Sequence, residues 1–248
     1  MYNYTVYVNN MQVYRMSETV RGRALIINNN TFYESSKLHR KGSLRDVSNI
    51  RGVLALLDFE VDVRHDRTAE EMLKDIKEET QQPDNEDYGM HVTVLMSHDI
   101  NYLSCNLVPV IVETDDIMER KVTETRDSSG QQEVDRRSQQ TESGPRNLDV
   151  DDLLILQSCF DGRSSIRHSN YGTPFIRELV KTLYKHSSHT DLATLFYLVQ
   201  DRVRKVTRKL AGRERNVEKQ TPMVFSTLTN MRKILLFPKY KISPQSEI

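Results

Sequence analysis

Only two side chains in this 248-residue sequence carry a thiol, Cys105 and Cys159. A thiolate is a strong nucleophile, but a cysteine becomes one near neutral pH only beside a base or a positive charge. Two cysteines exclude a disulfide-stapled scaffold and fit a reducing compartment, so the expected location is cytoplasmic. A second chemical signal is basic: residues 202–219 hold eight Lys or Arg against two Glu, a density that could neutralise phosphates. Val203, Val206 and Leu210 recur through the same stretch at helical spacing, so the charges read as the solvated face of a helix. Over the whole chain Lys+Arg and Asp+Glu are both 35, which leaves no excess charge to steer nucleic acid or an anionic membrane. No apolar run approaches the roughly 18 residues of a membrane span, and the N-terminus lacks a basic-then-apolar signal pattern. Neither a nucleic acid nor a membrane is expected as a partner.

The elements that would position any such chemistry alternate between strand and helix. Residues 1–20 are polar and weakly periodic and read as a leader. Ala24-Leu25-Ile26-Ile27 is a short continuous apolar run, the pattern of a strand buried on both faces. Val47, Ile50, Leu54 and Leu57 recur at helical spacing after Ser43, which is placed to cap them. Phe59 to Val63 alternates as a second strand. Thr68 and Glu71 form a capping box ahead of a helix carrying Met72 and Ile76. Val92 to Met96 is a third strand, ending at Ser97-His98-Asp99. From Glu119 to Arg146 the only large apolar residues are Val122 and Val134, too few to offset the entropy of ordering, so 119–150 is expected to be a disordered linker. Order resumes with the strand Leu153 to Leu156, helices from about Thr173 and Thr190, and a last strand, Met223 to Thr227. The pattern predicts an α/β fold of two segments, 21–118 and 151–240, with a tail at 241–248.

At this level of detail the chain resembles a caspase, the Asp-directed cysteine peptidase family, over nearly its whole length. Arg21 to Asn29 is similar to the family's opening strand, and Arg40-Lys41-Gly42-Ser43 with Asp46 and Asn49 resembles the loop and helix that follow. Leu95-Met96-Ser97-His98 looks like the strand that delivers the catalytic histidine. Ser165-Ile166-Arg167-His168-Ser169 and Gly172-Thr173-Pro174-Phe175-Ile176 resemble the start of the small subunit. Lys219-Gln220-Thr221-Pro222 through Phe237 is similar to the last strand and tail. The resemblance implies a three-layer sandwich, with a central, mostly parallel sheet and helices on both faces, and no cofactor or metal.

Carried over by position, Arg40 and Arg167 would form the S1 pocket that grips a substrate aspartate, a task suited to planar, bidentate guanidinium. Ile166 departs from the aromatic expected beside it. His98 would be the general base, and Asp99 stands where the oxyanion-hole glycine should be, putting a carboxylate where negative charge must develop. The nucleophile is the larger departure. Gln157-Ser158-Cys159 imitates the family's Gln-Ala-Cys motif, but Cys159 lies eight residues before Arg167, on the small subunit's first strand. Cys105 follows His98 too closely. Residues 108–115 resemble either the nucleophile strand, with Glu113 and Asp115 replacing the glutamine and cysteine, or the ribbon before it.

The sequence therefore reads as a caspase homologue without a correctly placed nucleophile, a non-enzymatic regulator rather than a peptidase. Its expected partner is an active caspase, or a second copy of itself, paired through Met223–Thr227. Inhibition of partner autoactivation is favoured over promotion. The alternative is an active Asp-specific endopeptidase with Cys159 and His98 as its dyad. Asp115 and Asp135 are candidate cleavage points, because the sequences leading to them resemble caspase target sites.

Overall fold

The computed structural model describes residues 13–14, 20–33, 36–81, 89–97, 110–114, 151–160, 163, 165–212 and 219–236. Six strands form one sheet in the order β2-β1-β3-β4-β5-β6. These are β1 (Gly22–Asn28), β2 (Phe59–His65), β3 (Met90–Met96), β4 (Val110–Thr114), β5 (Leu153–Gln157) and β6 (Met223–Ser226). β1 pairs in parallel with both β2 and β3, whereas the β3–β4, β4–β5 and β5–β6 ladders are antiparallel. Four of the six strands thus point one way, and β4 and β6 oppose them.

Four helices, α1 (Ser43–Leu56), α2 (Ala69–Thr80), α3 (Pro174–His186) and α4 (Leu192–Ala211), flank the sheet among the described residues. β1 explains why both faces need cover, since Ala24, Leu25, Ile26 and Ile27 are all at most 1% exposed. Ala24 and Ile26 face one core with Val47 and Ile50 of α1, Phe175 and Leu179 of α3, and Leu195 and Val199 of α4. Arg23, on the opposite face of the same strand, meets α2 through a 2.6 Å ion pair with buried Glu79.

The local signals behave as nearest-neighbour physics dictates. The capping box of α2 forms in both directions, Glu71 N–H to Thr68 Oγ1 and Thr68 N–H to the Glu71 carboxylate. Thr173 caps α3 by accepting the Ile176 N–H, and Pro174 occupies the first turn, where no amide is missed. One cap and one helix start differ from expectation. Ser43 does not cap α1: it is the first helical residue, its hydroxyl donates to Asn30 Oδ1, and Gly42 in left-handed backbone (φ 91°) precedes it. Asp191 caps α4 by accepting the Thr194 N–H, so the helix begins at Leu192, two residues after the expected start.

Of the segment read as a leader, Tyr14 is a core residue, only 4% exposed, and its N–H bonds the Lys233 carbonyl. A polar, weakly periodic sequence gives no warning of this docking. No helix among the described residues is long and apolar enough to cross a membrane. Residues 119–150 and 241–248 lie outside the described residues.

Candidate functional site

β1 is the point where the chain turns both ways, to β2 on one side and to β3 on the other, and such a switch opens a crevice beyond the carboxyl ends of the strands. Arg40 fills the base of that crevice. It reaches there because the short helical turn Ser36–Leu38 brings the chain back over β1, where the Arg40 N–H bonds the Asn30 carbonyl. Its Nη1 donates to Asn28 Oδ1 (3.1 Å), the Asn29 carbonyl (3.1 Å) and the Met96 carbonyl (2.8 Å), joining the ends of β1 and β3. Arg40 is fully buried.

Arg167 arrives from the other segment on a clamped loop. The His168 and Gly172 amides and carbonyls bond each other reciprocally, closing a tight turn directly after Arg167. Upstream, buried Gln220 accepts the Ile166 N–H and donates to the Ser158 carbonyl and Ser165 Oγ, so the strip carrying Arg167 is fixed along its length. The two loops interlock. A Cβ on Gly42 would stand 2.6 Å from the His168 carbonyl oxygen, and one on Gly172 would stand 2.2 Å from Asp46 Oδ1.

Asp46 links them electrostatically. Fully buried in the first turn of α1, it accepts the Thr173 N–H at 2.9 and 3.1 Å with its two oxygens. Burial lowers Arg40 to about 10, and repulsion from Arg167 adds to this. Burial likewise lowers Arg167, opposed by the attraction of Asp46. Burial raises the Asp46 carboxyl to about 6, against the Thr173 hydrogen bonds and the fields of Arg40 and Arg167. The structure therefore brings Arg40 and Arg167 together around one carboxylate. Two guanidiniums against one carboxylate leave a local positive excess.

Asp46 was visible in the sequence only indirectly. It falls on the stripe that continues through Ile50 and Leu54, where a charged residue has no business unless it is paired.

The raised Asp46 carboxyl has a measurable consequence. Its folded value of about 6 lies above the ordinary 3.8, so the folded state binds this proton more tightly. The group costs stability at neutral pH, and that cost disappears as the pH falls from about 6 towards 3.8. Relative to Asp46→Asn, the wild-type unfolding free energy should improve by up to ~3 kcal/mol between pH 7 and pH 4. A difference that stays flat over this interval in paired denaturation curves would exclude the effect.

The thiol is placed differently. Cys159 follows β5, is fully buried, and its Sγ donates to the Arg163 carbonyl at 3.0 Å, an arrangement that needs the proton on sulfur. β5 points the same way as β3, so Cys159 lies at the crevice edge of the sheet, three residues past Leu156, which pairs with Val110 at the start of β4. β4 itself runs antiparallel to β3, with Val110 opposite Val94 and Thr114 opposite Met90, and so leaves the sheet at the edge away from the crevice. His98, Asp99, Cys105, Asp115 and Asp135 lie outside the described residues; Ser97 is the last described residue before His98, and its Oγ accepts from Asn29 Nδ2.

Residues 21–232 match the family model of the caspase domain. Chicken caspase-6 is 28% identical over 268 residues, covering 92% of this chain and 84% of that protein. Chicken caspase-2 is 24% identical, covering 92% of this chain and 61% of that protein, and the Drosophila melanogaster caspase drICE is 25% identical, covering 95% and 75%. The crystal structure of caspase-1 from Spodoptera frugiperda superposes with a TM-score of 0.67 at 21% identity, covering 97% of each chain, and so shares the fold. The sheet order, the interlocked arginine loops and these matches agree: the chain belongs to the caspase domain family.

Proposed function

We propose that this caspase-domain protein is a non-enzymatic regulator that pairs with an active caspase and restrains its autoactivation in cell death. The observation that carries this reading is the direction of β4. A strand that delivers a nucleophile beside β3 must end at the crevice edge, whereas β4 ends at the opposite one, and Val110–Thr114 contains no cysteine. Losing a nucleophile of this kind costs on the order of 10⁴–10⁶ in rate. Cys159, the one cysteine among the described residues, is buried and commits its proton to a hydrogen bond with the Arg163 carbonyl.

The pairing surface is β6, the last strand of the sheet order. The Thr227 N–H bonds the Leu153 carbonyl, so antiparallel alternation turns the Phe225 amide into the ladder and the Val224 and Ser226 amides outwards. Phe225 is 45% exposed and Ser226 is exposed. Such an edge adds a strand from a second protomer through main-chain hydrogen bonds. An inactive protomer in that position denies the active one its own kind.

The purified chain should co-elute with an active caspase and slow its activation. Ser226→Pro removes an outward amide while sparing the inward ladder; it should weaken co-elution ~10-fold or more at unchanged melting temperature. Absence of co-elution together with an unaltered activation rate for the wild-type chain sinks the proposal.

A further inference from the structure

The turn that follows β6 is held by the N-terminal segment. Asp152, 1% exposed and in left-handed backbone (φ 61°), is the junction. Its Oδ1 accepts from the Tyr14 hydroxyl, from the Thr229 N–H at 2.8 Å and from the Thr229 hydroxyl at 2.7 Å. Its Oδ2 accepts from Arg232 Nη2 at 3.2 Å, and the Arg232 guanidinium lies 4.4 Å above the centre of the Tyr14 ring. Val13 and Lys233 form a parallel bridge beside this cluster. Between Thr229 and Arg232, Asn230 and Met231 both adopt left-handed backbone (φ 53° and 54°), which side chains other than glycine adopt at a cost. Met231 at the tip is 89% exposed. The turn is closed from within by the Arg232 N–H on the Thr229 carbonyl at 3.0 Å and Arg232 Nη2 on Thr229 Oγ1 at 2.6 Å, and it is anchored to the sheet through Asp152 and through the Thr229 N–H on the Tyr14 hydroxyl at 3.3 Å.

We propose that the segment through Tyr14 is a strap on the pairing edge: docked on Asp152 it holds the turn after β6, and undocking loosens that edge. The consequence for pairing rests on the reading of β6 given above. The strap also outlasts cleavage of the linker. Residues 119–150 contain Asp127, Asp135 and Asp149, whereas residues 1–20 contain no aspartate. An Asp-directed peptidase can therefore cut between the two segments but cannot remove the strap, and Asp152 stays clamped in the cut form.

The test is hydrogen exchange on the full chain, wild type against Tyr14→Phe, which keeps the ring and removes only the hydroxyl. The reporters are the amides of Asp152, on the Thr227 carbonyl, of Thr227, on the Leu153 carbonyl, and of Thr229, on Asp152 Oδ1. They should exchange ~10-fold or more faster in the variant, while Leu25 and Ile27 of β1 keep their protection. Unchanged exchange at the three reporters overturns the strap, whatever the protein binds. Equal acceleration at Leu25 and Ile27 also overturns it, because Tyr14 is then an ordinary core residue. Loosening confined to the reporters, in a chain that pairs with no caspase, supports the strap and removes the regulator reading instead.

Discussion

Purified protein should leave peptide bonds after aspartate intact, and Cys159→Ser should change nothing measurable. The expectation follows from where the one cysteine among the described residues sits. Its sulfur is buried and donates a hydrogen bond to the Arg163 carbonyl at 3.0 Å. A buried thiol that donates a hydrogen bond is neither ionised nor reachable, and nucleophilic catalysis needs both. Turnover should fall short of an active caspase by on the order of 10⁴–10⁶, and an electrophile directed at caspase active sites should leave Cys159 unlabelled. Cleavage after aspartate that disappears in Cys159→Ser would restore the dyad of Cys159 and His98 and end the regulator proposal.

Gly172→Ala should be strongly destabilising. Gly172 has φ +73°, and the added carbon would stand 2.2 Å from Asp46 Oδ1, well inside contact distance. The carboxylate has no room to retreat, because both of its oxygens hold the Thr173 N–H and the residue is fully buried. Left-handed strain, lost carboxylate pairing and a displaced α3 cap add to about 3–5 kcal/mol, or roughly a 10 °C fall in melting temperature for a chain of this size. Gly52→Ala is the control. Gly52 is an exposed position inside α1 with nothing within 4 Å of a new Cβ, and the change should stabilise by up to ~1 kcal/mol. Equal melting temperatures for the two variants would contradict the interlocked-loop description of the site.

Much of the fold could be read from neighbouring residues, because the interactions involved span a few positions. The apolar run of β1, the alternation of β2, the Thr68–Glu71 box and the Thr173-Pro174 start of α3 all form as their spacing predicts. The family resemblance placed Arg40 and Arg167 in one site, although what lodges them there comes from contacts far apart in the chain. Asp46 and Thr173 are 127 residues apart, and Tyr14 and Asp152 are 138 apart. No local pattern announces such pairs.

The sequence on its own determined the family, the strand and helix order, and the absence of a cysteine in the right motif. Tertiary structure alone decided that Arg40 is buried across two strand ends, that Cys159 is buried against the Arg163 carbonyl, and that β4 runs against β3. The physical reason is plainest for β4. The side-chain period of a strand is two in either direction, so a short apolar run such as Val110-Ile111-Val112 fits a sheet equally well read forwards or backwards. Only the hydrogen-bond partners on each side fix which end faces the crevice.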